Sequence, residues 1–270
     1  MNDFWGRIKE KLFLKHGIDA VFRTDIGCIP CNNEDNLFFN GYYKSDMMQA
    51  SDEGHGFYKD LCLFAVCDGM GGEDFGEEAS NIAVANLKTF SLKDIQKNSL
   101  NNLIEINKLI DDKRMEHGCT NMGTTMAGLY IEKGKAIACN IGDSRIYLYR
   151  DNVLKQLTED HTEAQYFASI GFESDGKNGR KKGGNALTQY LGMPVDEVII
   201  EPYYSEIINL KRKDRFLICS DGVTDMVDDE QLKYLISMQT DIGHISEMIM
   251  ETAMKAGGKD NITEILIEVK

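Results

Sequence analysis

Proline is scarce, at three residues in 270, and no Pro/Ser-rich stretch divides the chain. One domain is therefore favoured over two linked ones, and the length suffices for one large core. No stretch approaches the roughly 20 apolar residues of a membrane span. The N-terminus lacks the long uncharged apolar centre of a signal peptide. Internal repeats and long low-complexity tracts are missing too. Basic residues are in deficit: 30 Lys and Arg stand against 44 Asp and Glu, a net charge of −14. Nucleic-acid binders present a basic face, so this balance argues against a nucleic-acid partner. The surplus acid serves either solubility or the holding of cations, and its placement has to decide. The seven Cys are an odd number, and Cys62, Cys67, Cys139 and Cys219 fall inside apolar runs. That suits reduced thiols packed as small hydrophobes in a cytoplasmic protein, not a disulfide framework.

Periodicity orders the rest. Phe4, Ile8 and Leu12 recur every four residues among Arg7, Lys9, Lys11 and Lys15. This predicts a basic amphipathic helical extension over 1–17, able to touch an anionic membrane but more in keeping with packing on its own domain. Strands are expected at 18–26, from Asn36 to Tyr43 and over the apolar run Leu61–Cys67, with the polar, Gly-containing 44–60 as a loop between strands. Helices follow over about 79–90 and 93–115. Short strands then recur at 124–131, 135–141, 145–149 and 153–157. Val198–Leu210 and Arg215–Cys219 resume strands, helices lie near 229–238 and 243–256, and 262–269 closes the chain as a strand. Runs of strands with separate helices imply an α+β fold rather than alternating βαβ units.

Four carboxylates, Asp35, Asp68, Asp221 and Asp260, stand at the ends of apolar runs or in tight turns, and Gly69 and Gly222 follow two of them. A strand end holds a side chain rigidly, and Gly lets the backbone turn a carbonyl toward the same point. Hard cations such as Mg²⁺ and Mn²⁺ take such oxygen ligands. Two of them roughly 3.5–4 Å apart can activate a water for attack on phosphorus. The plainer reading of any one Asp alone is a turn or helix cap.

Taken in order, the motifs resemble the PPM family of metal-dependent Ser/Thr phosphatases (protein phosphatase 2C type), in its bacterial branch. Thr24-Asp25-Ile26-Gly27 followed by Asn33-Glu34-Asp35 is similar to the opening motif, and Asp68-Gly69-Met70-Gly71-Gly72 to the central one. Met122-Gly123-Thr124-Thr125, Gly142-Asp143-Ser144-Arg145 and Leu157-Thr158-Glu159-Asp160-His161 follow in the family's order. Ser220-Asp221-Gly222 with Asp225, then Lys259-Asp260-Asn261, complete it. The resemblance covers about 18–270 and implies a phosphatase domain over that range. Its fold would be two antiparallel β-sheets packed as a sandwich, flanked by α-helices on both sides, with a flap at about 160–187.

The resemblance also implies roles. Asp68 would bridge two Mn²⁺ or Mg²⁺ ions, with the Gly69 carbonyl on one of them, and Asp221 and Asp260 would complete the other site. Glu34 and Asp35 would hold a metal or its waters, Asp143 a third ion, and Asn261 would orient its neighbour or a water. The reaction would be hydrolysis of phosphoserine and phosphothreonine by a hydroxide held between the ions, with no phosphoenzyme. A phosphoprotein would be the substrate and a Ser/Thr kinase the natural counterpart. The other classes are a phosphatase-like binding module without turnover and a phosphatase for small-molecule phosphate esters. Oligomeric state is not readable from the sequence.

Two positions depart from the family. Many relatives carry a phosphate-gripping Arg where this chain has Pro30, and animal members carry a His where it has Met70. Arg180, Lys181 and Lys182 form a basic run in the flap, either a solvated loop tip or a source of part of the missing charge toward a phosphoprotein. Gly171–Asn178 nearly spells a nucleotide P-loop, but Asn178 stands where Ser or Thr is required. Cys28-Ile29-Pro30-Cys31 is a single Cys-x-x-Cys with no second pair for zinc; a redox pair is the alternative but lacks the helix context that lowers a thiol pKa, so two loop thiols are expected. His161 is expected to anchor the flap rather than to act in catalysis.

Overall fold

The computed structural model of the protein describes residues 17–59, 61–70, 75–171, 184 and 186–270. The amphipathic segment expected before residue 17 and the P-loop-like stretch lie outside or largely outside these, as do Arg180, Lys181 and Lys182. One six-stranded sheet contains β1 (Ile18–Asp25), β3 (Ser51–Tyr58), β9 (Arg145–Arg150), β10 (Val153–Gln156), β13 (Arg215–Cys219) and β14 (Ile262–Val269), in the order β10-β9-β13-β14-β1-β3. The second contains β2 (Asn36–Phe39), β4 (Cys62–Cys67), β7 (Met126–Glu132), β8 (Lys135–Ile141), β11 (Tyr203–Tyr204) and β12 (Ile208–Asn209). Its order is β11-β8-β7-β4-β2, with β12 also on β8. The ladders within both sheets are antiparallel, a separate short ribbon pairs β5 (Gly69–Met70) with β6 (Gly123–Thr124), and α3 (Glu163–Ser169) follows β10 along the chain.

Side-chain alternation makes the layers. Ile18, Ala20 and Phe22 of β1 and Ile265, Ile267 and Val269 of β14 meet Leu37, Phe39, Phe64 and Leu129 of the other sheet in one buried core. Phe39 packs edge-on against Phe22 and Phe64, with ring centroids 4.9 and 5.3 Å away. Such pairs add about 0.5–1.5 kcal/mol each beyond burial. The opposite side chains of β4, Leu63, Ala65 and Cys67, face α1 (Gly76–Asn86) and α2 (Ile95–His117). Val21, Leu217 and Leu266 face α4 (Asp221–Thr224), α5 (Asp229–Ile236) and α6 (Ile242–Lys255). The sandwich is thus covered by helices on both sides, as expected. Both long faces of β4 and β8 are buried, so in β8 alternation is between small and large residues, not polar and apolar.

Two expectations are corrected. Residues 51–58, read as loop, form edge strand β3, paired with β1 from Ile18↔Tyr58 to Asp25↔Ser51. Its polar side chains face solvent, and a Cβ at Gly54 would sit 2.4 Å from the Phe22 ring. The glycine that suggested a loop is there to make room for an aromatic of the neighbouring strand. Val198–Leu210, read as one strand, pairs only at β11 and β12. Between them Ser205 Oγ accepts from the Ala138 N–H (3.0 Å), so a side chain replaces part of the ladder.

A candidate metal-binding active site

The motif carboxylates are delivered by turns at one end of the sandwich. Asp68 directly follows β4, Asp143 sits in the β8–β9 turn, Asp221 opens α4 after β13, and Asp260 lies two residues before the first residue of β14. Glu34 comes from the β1–β2 loop. These five, with Asn261, line a cleft of about 610 Å³. A larger groove of about 800 Å³ lies between β1, β3 and α6. There Arg23 and Lys255 offset the acids, and Met250 and Met254 add apolar surface. Chemistry, not size, marks the first as the site.

Each loop is held by the other motifs. The Asp68 N–H donates to Thr125 Oγ1 (3.0 Å), the Thr125 N–H returns to the Asp68 carbonyl (2.8 Å), and Thr124 Oγ1 donates to the same carbonyl (2.9 Å). Thr125 Oγ1 also meets Ser144 Oγ at 2.7 Å, which ties the Asp143 turn to Asp68. That turn is braced from behind. Asn140 donates to the carbonyls of Gly142 (3.1 Å) and Glu159 (2.8 Å), and Arg145 Nε donates to Asp160 (3.0 Å). His161 Nδ1 accepts from the Gly142 N–H (3.1 Å), which assigns the proton of its neutral ring to Nε2; burial lowers its pKa. His161 is a brace of this turn and does not line the cleft.

Asn261 draws three segments together. Its backbone N–H donates to Asp260 Oδ1 (2.8 Å), while its side chain donates to the carbonyls of Ile26 and Asn32 (both 2.9 Å) and accepts from the Glu34 N–H (2.7 Å). Gly222 packs so closely on this turn that a Cβ would lie 1.9 Å from the Asn261 carbonyl oxygen. Any larger residue there would push Asp221 and Asp260 apart.

Asp35 lies behind the cleft wall. It is buried, one oxygen accepts from Ser220 Oγ (2.8 Å), and the other has no hydrogen-bond partner. Lys44 was not singled out in the sequence, where it sits in a polar stretch. It is buried behind the same wall, and its Nζ donates to the Asn33 carbonyl (3.0 Å). Burial lowers its pKa against the opposing pull of Asp35. Only the fold reveals it, because nothing in its neighbours predicts burial.

Electrostatics sets the chemistry of the cleft. Burial, then Glu77, Asp260 and Asp35, push Glu34 up to about 7. Burial and then Asp160 push Asp143 up to about 6. Asp68 and Asp221 are raised by burial first and then by the surrounding carboxylates. Among the described residues no Lys, Arg or His lines the cleft. A cluster of repelling carboxylates with one partnerless buried oxygen fits oxygen-seeking divalent cations as its missing counter-charge. No three His, Cys, Asp or Glu among the described residues close around one point.

Comparison with known proteins agrees with this chemistry. The protein phosphatase 2C family model matches residues 46–266. The chain is 30% identical over 260 residues to the serine/threonine phosphatase stp of Listeria welshimeri, covering 92% of this chain and 95% of that one. It superposes on the S. agalactiae serine/threonine phosphatase with a TM-score of 0.78 at 25% identity, covering 94% of this chain and 100% of that one. It is also similar to the catalytic domain of the serine/threonine protein phosphatase PstP, solved in complex with two manganese ions. There the TM-score is 0.74 at 26% identity, over 94% of this chain and 99% of that one. The chain belongs to the protein phosphatase 2C family.

Proposed function

We propose that this protein is a metal-dependent phosphatase that removes phosphate from serine and threonine side chains of proteins. The observation that carries the reading is the convergence of five carboxylates from distant parts of the chain in one cleft, with no side-chain cation on its wall among the described residues. Asp68, Asp221 and Asp260, with the Gly69 carbonyl, would hold two Mn²⁺ or Mg²⁺ ions, and Glu34 and Asp35 would orient their waters. Bound cations there supply an activated water and neutralise charge on the phosphoryl oxygens. The chain's own part is rigidity. Thr124, Thr125 and Ser144 hold the Asp68 and Asp143 turns in fixed relation, and Asn261 locks Glu34 to Asp260. Preorganisation of this kind avoids rearranging charge during phosphoryl transfer. Met70 offers no proton, so the leaving group takes one from a water in the cleft or from another residue.

A phosphoprotein is the substrate class, with a Ser/Thr kinase as its source, and a cytoplasmic setting agrees with the buried thiols. The deciding experiment compares a phosphothreonine peptide with a small aryl phosphate, each with Mn²⁺, Mg²⁺ or chelator. Cation-dependent hydrolysis favouring the peptide is expected. Binding of the peptide without turnover under every condition would instead support the binding-module reading, and preference for the small ester the small-molecule one.

Asp143 is the proposed ligand of a third ion. It stands on a turn braced independently of Asp221 and Asp260, so Asp143→Ala should leave binding of two Mn²⁺ measurable by calorimetry. Turnover should fall about tenfold. Loss of all Mn²⁺ binding would place Asp143 in the core pair or in loop shaping.

Arg180, Lys181 and Lys182 are proposed to attract the substrate. Ala186 and Leu187, a few residues further along the chain, border the cleft. Replacing all three by Ser should raise KM for a phosphopeptide roughly fivefold at low salt. The aryl phosphate should be affected less, and kcat little. Peptide kinetics that do not change would leave these residues as a solvated loop tip.

A further inference from the structure

The Cys28-Ile29-Pro30-Cys31 motif has no part in the metal site, yet the fold places it on the site's rim. Cys28 and Cys31 are exposed, whereas the other cysteines are buried or partly buried. The chain bends at 28–29 and again at 31–32, on either side of Pro30. Pro30 and Cys31 line the same cleft as Asp68 and Asp221. The segment is pinned at both ends to the Asp260 turn. The Cys28 N–H donates to the Gly258 carbonyl (2.7 Å), and Asn261 holds the carbonyls of Ile26 and Asn32. Zinc needs more ligands than two thiols, and no group of three His, Cys, Asp or Glu among the described residues, this pair included, has the arrangement of a metal site. Two accessible thiols three residues apart are instead suited to pairing with each other.

We propose that Cys28 and Cys31 form a reversible oxidation site, closing to an intramolecular disulfide when a hydroperoxide is the oxidant. One thiol gives up its proton and attacks the peroxide oxygen as thiolate, the O–O bond breaks, and the departing hydroxide takes up that proton to leave as water, with a sulfenic acid on sulfur. The second thiol displaces that hydroxyl, forming the S–S bond and a second water. Two thiols together lose two electrons, and the peroxide gains them. Closure brings the two Cβ atoms to about 3.8 Å. Because Ile26 and Asn32 are tied down, the movement falls on Ile29, Pro30 and Cys31, which reshapes the phosphate entrance. The effect on turnover rests on the phosphatase reading above; the disulfide itself does not.

The test treats the full-length protein with hydrogen peroxide in chelator, removes the oxidant, alkylates and digests with trypsin. Cleavage after Arg23 and Lys44 yields one fragment containing both thiols. It should appear lighter by two hydrogens and closed to alkylation, and dithiothreitol should reverse both. Phosphatase activity assayed with Mn²⁺ should fall at least about threefold relative to the reduced protein and recover on reduction. Cys28→Ser, compared with its own reduced state, should lose none of its activity reversibly. Two thiols still open to alkylation overturn the proposal, and so does an equal reversible loss in Cys28→Ser. Failure of the phosphatase reading is distinguishable, since untreated protein would then show no hydrolysis at all.

Discussion

Asp68→Asn should lower turnover by roughly 10²–10³-fold or more while leaving the fold intact. The side chain is isosteric, and the bonds that place residue 68 run through its backbone: N–H to Thr125 Oγ1, and carbonyl from Thr124 Oγ1 and the Thr125 N–H. An amide removes a charge at the centre of the cluster without disturbing that scaffold. The same charge is what burial and Asp35, Asp221, Asp143 and Asp260 disfavour in the metal-free protein. The variant should therefore melt at the same or a higher temperature than the parent in chelator, and gain less from Mn²⁺. This opposite movement of activity and metal-free stability separates a charge role from general damage. A variant that melts lower in chelator and recovers activity in proportion to its folded fraction would argue for a purely structural Asp68.

Removing divalent cations should abolish hydrolysis, and Mn²⁺ should restore it. The stability of the metal-free protein gives an independent reading of the same cluster. Glu34 and Asp143 have pKa values raised to about 7 and about 6, and buried Glu264 under α6 to about 8. In the unfolded chain such groups ionise near pH 4. Between those values the folded state binds more protons than the unfolded one, so stability must fall as pH rises. The contribution is complete below about pH 4 and is lost progressively toward pH 8. Thermal melts in chelator from pH 5 to 8 should show a declining Tm. Added Mn²⁺ binds only the folded, ionised cluster, so it should raise Tm more at pH 8 than at pH 5. A chelated protein that grows more stable across this range, or an Mn²⁺ effect independent of pH, would mean that the carboxylates do not form the cation site.

The carboxylates were legible because each is announced by its own few residues. An apolar run of strand length ending in Asp-Gly, as at Cys67-Asp68-Gly69 and Ser220-Asp221-Gly222, carries its backbone geometry locally. Their order along the chain carries the family. The strands with buried faces were legible for a similar reason, since β1, β4, β7, β13 and β14 must show apolar residues wherever they meet the core. β3 was not, because an edge strand exposed on one side needs few apolar residues, and Gly54 answers to Phe22 on another strand. Lys44 reads as loop charge and proves to be buried behind the site.

Sequence alone therefore determined the α+β class and the metal-seeking residue types, because hydrophobic period and turn chemistry act over a few residues, while the layered sandwich and the kind of reaction came with the family resemblance of its ordered motifs. Tertiary structure decided which groups meet. Asn261 holds Glu34 and Ile26 across 227 and 235 positions of chain, Ser220 reaches Asp35 across 185, and Cys31 stands on the cleft wall while the buried cysteines serve the core. Contacts of that range leave no periodic trace, and the raised pKa values exist only once burial and like charge act together on the assembled cleft.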